Sequence, residues 1–204
     1  MLLLALMSFS IISEWKQQFT ELLKLPELTI ENGLILCLKY KNKNNEVHRN
    51  TDIGPAYIRY YESGKIRSKQ YWVNDKIYRL DGHACVSYYE NDQVMSKYYL
   101  VNGEKHRPIN DGPAVIWYCE NCKIAYEQYW VNGEKHRPSE ECPAKITYYK
   151  NGQIKSKQYW GNGQRHRPIG EGPAFIYCHE DGQIFSEVYW VNTANKSIFS
   201  SSYF

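Results

Sequence analysis

Three stretches of this chain are nearly the same: YLVNGEKHRPINDGPA from Tyr99, YWVNGEKHRPSEECPA from Tyr129 and YWGNGQRHRPIGEGPA from Tyr159. Repetition at a fixed period restricts the fold more than any other feature, because similar segments adopt similar supersecondary units that stack on their neighbours. From Gly54 it is 28 residues to Gly82, and then 30 to each of Gly112, Cys142 and Gly172 in turn. The 204 residues therefore read as one elongated array rather than one or two globular domains.

The unit opening at Cys142 shows the pattern. Ala144, Ile146 and Tyr148 alternate with Lys145, Thr147 and Tyr149, the period of a strand with two unlike faces. Asn151-Gly152 supplies a tight hairpin turn with two positive φ angles. On the return strand Ile154, Ser156, Gln158 and Trp160 share one face, and Lys155, Lys157 and Tyr159 share the other. A second Asn162-Gly163 ends the strand, and a polar connector leads to Gly172-Pro173. Across units the positions of Ala144, Ile146 and Tyr148 keep their character, whereas those of Lys145 and Thr147 vary, so the first face is expected to be packed and the second to meet solvent or a partner. The fold class is all-β, a single-layer antiparallel array of hairpins.

The ends differ from the repeats. Residues 1–32 are read as an apolar segment, Met1 to Ile12, followed by a helix capped by Ser13, carrying Trp15, Phe19, Leu22 and Leu23 on one face and ended by Pro26. Met7 is an alternative start, and a secretory leader is an alternative reading of the apolar run. Residues 33–192 form the array, with Gly33 to Tyr40 as its first strand. Residues 193–204 form a tail that covers the sheet edge or hangs loose.

Nineteen Tyr and six Trp suit half-buried strands, since each joins a large apolar body to a polar edge. A net charge of +3 is too small to argue for nucleic acid. The six cysteines occupy different repeat positions, so neither a disulfide framework nor a repeated metal site is expected, and the reading is of reduced thiols in a cytoplasmic compartment. No cofactor is called for.

The pattern YYxNG followed by a Tyr-Trp strand and a second Asn-Gly, with its tyrosine pairs at Tyr60-Tyr61, Tyr88-Tyr89 and Tyr148-Tyr149, resembles the MORN-type repeat. They are most similar to the variant repeats of the YwqK-type antitoxin family and to arrays of large DNA viruses. The resemblance covers about Gly33 to Asn192, with a His-Arg-Pro connector lengthening the unit. It implies a hairpin array serving as an interaction scaffold. A composition leaning to Lys, Asn, Ile and Tyr also suits a large DNA virus.

Two rows of residues are candidate sites. His48, His106, His136 and His166, each followed by Arg49, Arg107, Arg137 or Arg167, form a stripe for phosphates or an acidic partner, or else hold the connectors through turn backbone and nearby carboxylates such as Asp111, Glu140, Glu141 and Glu171. Tyr71, Tyr99, Tyr129, Tyr159 and Tyr189 form a column expected to be an exposed aromatic ladder, either an interface or a cross-strand brace. Cys119 and Cys122 form a lone CxxC that falls on a tyrosine position and a turn position. The residues that break register, His83, Tyr126, Cys178 and His179, gather no nucleophile, base and orienter, so catalysis is not expected. The expected activity is a protein-interaction scaffold. An antitoxin-like regulator of a partner enzyme and a peripheral binder of anionic membranes are the alternatives, with self-association through sheet edges as a further possibility.

Overall fold

The computed structural model describes residues 25–137, 142–190 and 197–202. Its main element is one open antiparallel sheet of thirteen strands in which each strand pairs with the next main strand along the chain. The sheet begins with Glu27–Glu31 and Leu34–Lys39. Five hairpins follow: Tyr57–Tyr60 with Ile66–Gln70, Cys85–Tyr88 with Val94–Tyr98, Val115–Tyr118 with Ile124–Gln128, Lys145–Tyr148 with Ile154–Gln158, and Phe175–Cys178 with Ile184–Trp190. Ser197–Ser202 closes the far edge. The tail therefore covers an edge, and Glu27–Glu31 is a strand that sequence reasoning had not separated from the N-terminal segment. The helix expected before Pro26 lies outside the described residues.

The return strand of each of the first four of these units is shorter than its sequence pattern implies. It stops at Gln70, Tyr98, Gln128 or Gln158, and the tyrosine that follows lies outside both strands. The next residues form a separate two-stranded ribbon: Trp72–Val73 with Lys76–Ile77, Leu100–Val101 with Glu104–Lys105, Trp130–Val131 with Glu134–Lys135, and Trp160–Gly161 with Gln164–Arg165. Trp160 thus leaves the face expected to hold it with Ile154, Ser156 and Gln158. Its indole N–H instead donates to the Gln158 side chain at 3.3 Å.

The turn with two positive φ angles expected at Asn151-Gly152 is found instead at the second Asn-Gly. In the five repeated hairpins only the second turn residue has positive φ, Gly152 at 96° for example, and the bonds from Tyr149 N to Gln153 O and from Gly152 N to Tyr149 O close a three-residue loop. This is a type I turn followed by a left-handed residue. The Asn151 side chain accepts from the Gln153 N–H at 2.8 Å, replacing a backbone partner. Both angles are positive in the small ribbons, at Asn162 (48°) and Gly163 (74°) and at Asn132 (49°) and Gly133 (78°). The ribbons join one another through single bonds, such as Gly133 N to Lys105 O at 3.0 Å and Gly163 N to Lys135 O at 3.2 Å.

A register irregularity between Thr147 and Tyr148, repeated in every hairpin, places Ile154 opposite Tyr148 but Ser156 opposite Thr147. On one face the rungs run Ile58, Lys69, Val86, Lys97, Ile116, Glu127, Ile146 and Lys157, so Val86, Ile116 and Ile146 each stand between charged side chains with long aliphatic stems. On the other face lie Arg59, Ser68, Ser87, Ser96, Trp117, Tyr126, Thr147 and Ser156. Burial is shared between them: Val86 is buried on the first face, and Val115, at a position expected to be open, is buried on the second together with Ser68, Ser96 and Ser156, which the pairing of Ser156 with Thr147 brings to that face. A single-layer sheet has no second layer, so its interior consists of small residues shielded by larger neighbours. The most enclosed are Ala56, Ala84, Ala114, Ala144 and Ala174, each without exposed surface.

Candidate functional site

Those alanines mark the junction between units. Ala114 donates to the Gln128 carbonyl at 2.9 Å, and its own carbonyl accepts from Tyr99 N–H of the preceding unit at 2.8 Å. The same link joins Tyr71 to Ala84, Tyr129 to Ala144 and Tyr159 to Ala174. The column tyrosines are therefore held at a crossing of two units. Tyr129 and Tyr159 are buried, so the column is not the exposed ladder expected. Burial pushes the Tyr129 phenol up, partly offset by the nearby Arg137.

The arginines of the connector cover these rings. The Arg107 guanidinium lies 3.9 Å from the Tyr99 ring centre, Arg137 the same distance from Tyr129, and Arg167 from Tyr159. Arg49 stacks on Tyr40 at 4.0 Å. The guanidiniums also donate from Nη1 to the Pro carbonyl six residues on, from Arg107 to Pro113 at 3.1 Å and from Arg49 to Pro55 at 3.2 Å. The glycine before that proline lies beneath the guanidinium: a Cβ on Gly112 would come within 3.2 Å of Arg107 Nη1, at φ 112°. One contact set thus accounts for the repeated R…GPA pattern: Arg caps Tyr, Gly leaves room, Pro offers its carbonyl and Ala fits the enclosed crossing. The two rows read from the sequence as separate sites are two halves of one brace.

The histidines serve the adjoining ribbons. Nδ1 of His48, His106 and His136 accepts from the backbone N–H of Asn74, Asn132 and Asn162 at 3.3, 3.1 and 3.2 Å. Asn192, which occupies that position for His166, lies outside the described residues. Turn backbone was the expected structural partner of the imidazoles. For Arg49 and Arg107 the partners among the described residues are a carbonyl and a ring rather than the expected carboxylates, and Arg137 has the same two, while Glu140 and Glu141 lie outside the described residues. The register also supplies an arginine that sequence reasoning left out: Arg79, in the shortened connector, stacks on Tyr71 at 4.0 Å. Its signal is Tyr78-Arg79 standing where other units have His-Arg. Tyr189, the last of the column, belongs to the strand Ile184–Trp190 and pairs with Ile198.

The shortened connector opens a cavity of about 750 Å³ lined by Arg79, Asp81, Tyr99, Glu104, His106, Arg107 and Asp111 among others. His83, in place of proline beside it, meets Tyr99 edge-on with ring centres 5.7 Å apart. Burial first, then Lys97, Arg79 and Arg107, lowers its pKa. Cys119 and Cys122 stand either side of a hairpin turn, and all six cysteines are free thiols. Among the described residues no three His, Cys, Asp or Glu side chains gather where they could hold a metal ion.

What remains outside the brace is the face of unlike residues. Trp117 stacks on Tyr126 with centres 5.7 Å apart, and its indole donates to Tyr98 Oη at 2.8 Å. Burial, then Tyr98, pushes the Tyr126 phenol far up. Arg59 is exposed, and Phe185, 45% exposed, meets Tyr177 edge-on. Comparison with known protein families, characterised proteins and solved structures yields no match to this chain.

Proposed function

We propose that the chain is a non-catalytic scaffold that binds a protein partner across the face carrying Arg59, Trp117, Tyr126, Tyr177 and Phe185. The observation that supports this is the contrast between the faces. The rungs through Ile58 and Ile146 repeat one apolar-and-charged scheme, whereas equivalent positions on the other face hold Arg59, Ser87, Trp117, Thr147 and Tyr177. Invariant positions serve the array itself. Unlike side chains at fixed spacing serve recognition, and half-buried aromatics and an exposed Arg are among the side chains enriched at the centre of an interface. The reading agrees with the scaffold role that the MORN-type resemblance implies.

The test compares two triple variants of the tagged protein in affinity capture from its native cells at moderate salt. Arg59→Glu/Trp117→Ser/Phe185→Ser is expected to lose one partner recovered at fixed ratio by the wild type, while Lys69→Glu/Lys97→Glu/Lys157→Glu retains it. Circular dichroism confirms that both variants are folded. Equal recovery by both variants, or no protein recovered by the wild type, overturns the reading.

A further inference from the structure

Two departures from the repeat fall in one turn, and both are cysteine. The other repeated hairpins place Tyr61, Tyr89, Tyr149 and His179 at the position of Cys119, and Gly64, Asp92, Gly152 and Gly182 at that of Cys122. Residue 122 has φ 63°, a conformation that glycine adopts freely and a side chain does not, so backbone preference does not account for a thiol there. Cys119 in turn lacks the hydroxyl with which its counterparts reach the next unit, as Tyr61 does to the Tyr88 carbonyl at 2.7 Å and Tyr149 to the Cys178 carbonyl at 2.8 Å. The array itself therefore explains neither residue.

The backbone holds the two together. Cys122 N–H donates to the Cys119 carbonyl at 2.9 Å, and Cys119 N–H to the Lys123 carbonyl at 2.8 Å. A turn closed in this way keeps its first and fourth Cα atoms within about 7 Å, and disulfides span about 4.4–6.8 Å between Cα atoms. The loop is also anchored from outside. The Asn121 side chain accepts from Lys123 N–H at 3.2 Å and donates to the Lys150 carbonyl at 3.3 Å, and the Lys123 ammonium donates to the Asn151 carbonyl at 2.7 Å. Each thiol is thereby held at a high effective concentration for the other. Cys122 is exposed and Cys119 half-buried, the arrangement of an attacking thiol with a resolving one beside it. The remaining cysteines are less open to attack: Cys37 and Cys178 are buried, Cys142 is half-buried, and burial pushes the Cys85 thiol up.

We propose that Cys119 and Cys122 form a reversible dithiol–disulfide site whose oxidant is a small-molecule disulfide of the glutathione class. The Cys122 thiolate attacks one sulfur of the oxidant, whose S–S bond breaks, giving a mixed disulfide and one free glutathione thiol. The Cys119 thiolate then attacks Cys122 Sγ and displaces the second glutathione. The protons and electrons lost by the two cysteines are those gained by the two glutathione molecules. The new ring encloses Asn121, so the redox state acts on the turn that is tied to residues 150 and 151 of the next unit. This inference does not rest on the protein-partner reading.

The test incubates the full chain with millimolar glutathione disulfide at mildly alkaline pH, traps the remaining thiols with an alkylating reagent and maps the peptides by mass spectrometry. The wild type is expected to lose both thiols of the pair to a Cys119–Cys122 link without accumulating a glutathione adduct, and to recover them in excess reduced glutathione. Cys119→Tyr, which restores the residue found in three other units, is expected to stop at one stable glutathione adduct on Cys122. Cys122→Gly, which restores the turn residue, is expected to form no internal link. Both variants carry residues that the repeat accepts, and circular dichroism confirms that they are folded. A persistent adduct on the wild type, a pair that stays reduced, a link that reduced glutathione does not reverse, or a bond made equally to Cys85, to Cys142 or to a second chain overturns the proposal.

Discussion

At the scale of single residues, the chain shows how one side chain can account for a whole consensus. Arg107 stacks on Tyr99, donates to the Pro113 carbonyl and closes over Gly112, and its neighbour His106 receives the Asn132 N–H of the following ribbon. A half-buried cation–π contact and a hydrogen bond from a charged donor together contribute about 2 kcal/mol. Arg107→Ala is expected to destabilise the protein by about that amount, and Arg107→Lys to recover only part of it, because an ammonium has neither the planar face nor the fork. Urea denaturation measures both, and an unchanged midpoint in the alanine variant would contradict the brace. His-Arg was conspicuous in the sequence because it recurs, but recurrence alone does not distinguish a repeated ligand site from a repeated joint. The deciding information was the arginine's partner, a tyrosine eight residues earlier in a different segment of the unit.

At the scale of elements, the number and order of hairpins were legible from Asn-Gly spacing and period-2 alternation, whereas the roles of the two Asn-Gly turns were exchanged. The distinguishing signal lay in the first turn residue. Main hairpins accept Ser63 or Asp181 there, because only the following residue needs positive φ, while the ribbons keep Asn74, Asn102, Asn132 and Asn162, because both residues need it. The break after Gln158 was not legible, since Tyr159 and Trp160 continue the strand pattern without a proline or glycine. One main turn departs from the pattern. Cys122 occupies the left-handed position at φ 63°, and Cys119 replaces the tyrosine that elsewhere donates to the next unit, as Tyr89 does to the Tyr118 carbonyl at 2.7 Å. Cys122→Gly removes the steric cost of a side chain at positive φ and is expected to stabilise by about 1 kcal/mol, read as a higher denaturation midpoint. A lower midpoint would show that the thiol makes a contact the turn depends on.

At the scale of the whole molecule, stability is spread along a line. Each unit touches its neighbours through strand pairing, the Ala crossing, the Arg bond to the next Pro carbonyl and single ribbon bonds, and none of these spans more than one junction. An array of this kind behaves approximately as a sum of unit and interface terms. Excising Val115–Ala144, 30 residues, joins Ala114 to Lys145 at equivalent positions. The shortened chain is expected to keep the same β-sheet circular dichroism and to unfold with a smaller denaturant dependence, in proportion to the surface removed. An unfolded product would show that the units are not interchangeable. The tail strand Ser197–Ser202 and the leading strand Glu27–Glu31 are the parts least legible from sequence, because neither belongs to the repeat and only pairing with a neighbour defines them.

The sequential order of the main sheet also has a consequence for synthesis. Every strand waits only for the one that follows it, so no pairing requires a distant segment to return. Closure of short loops makes such topologies fast to form. A chain emerging from the ribosome can add one hairpin at a time to a finished edge, so that a single growing strand is unpaired at any moment.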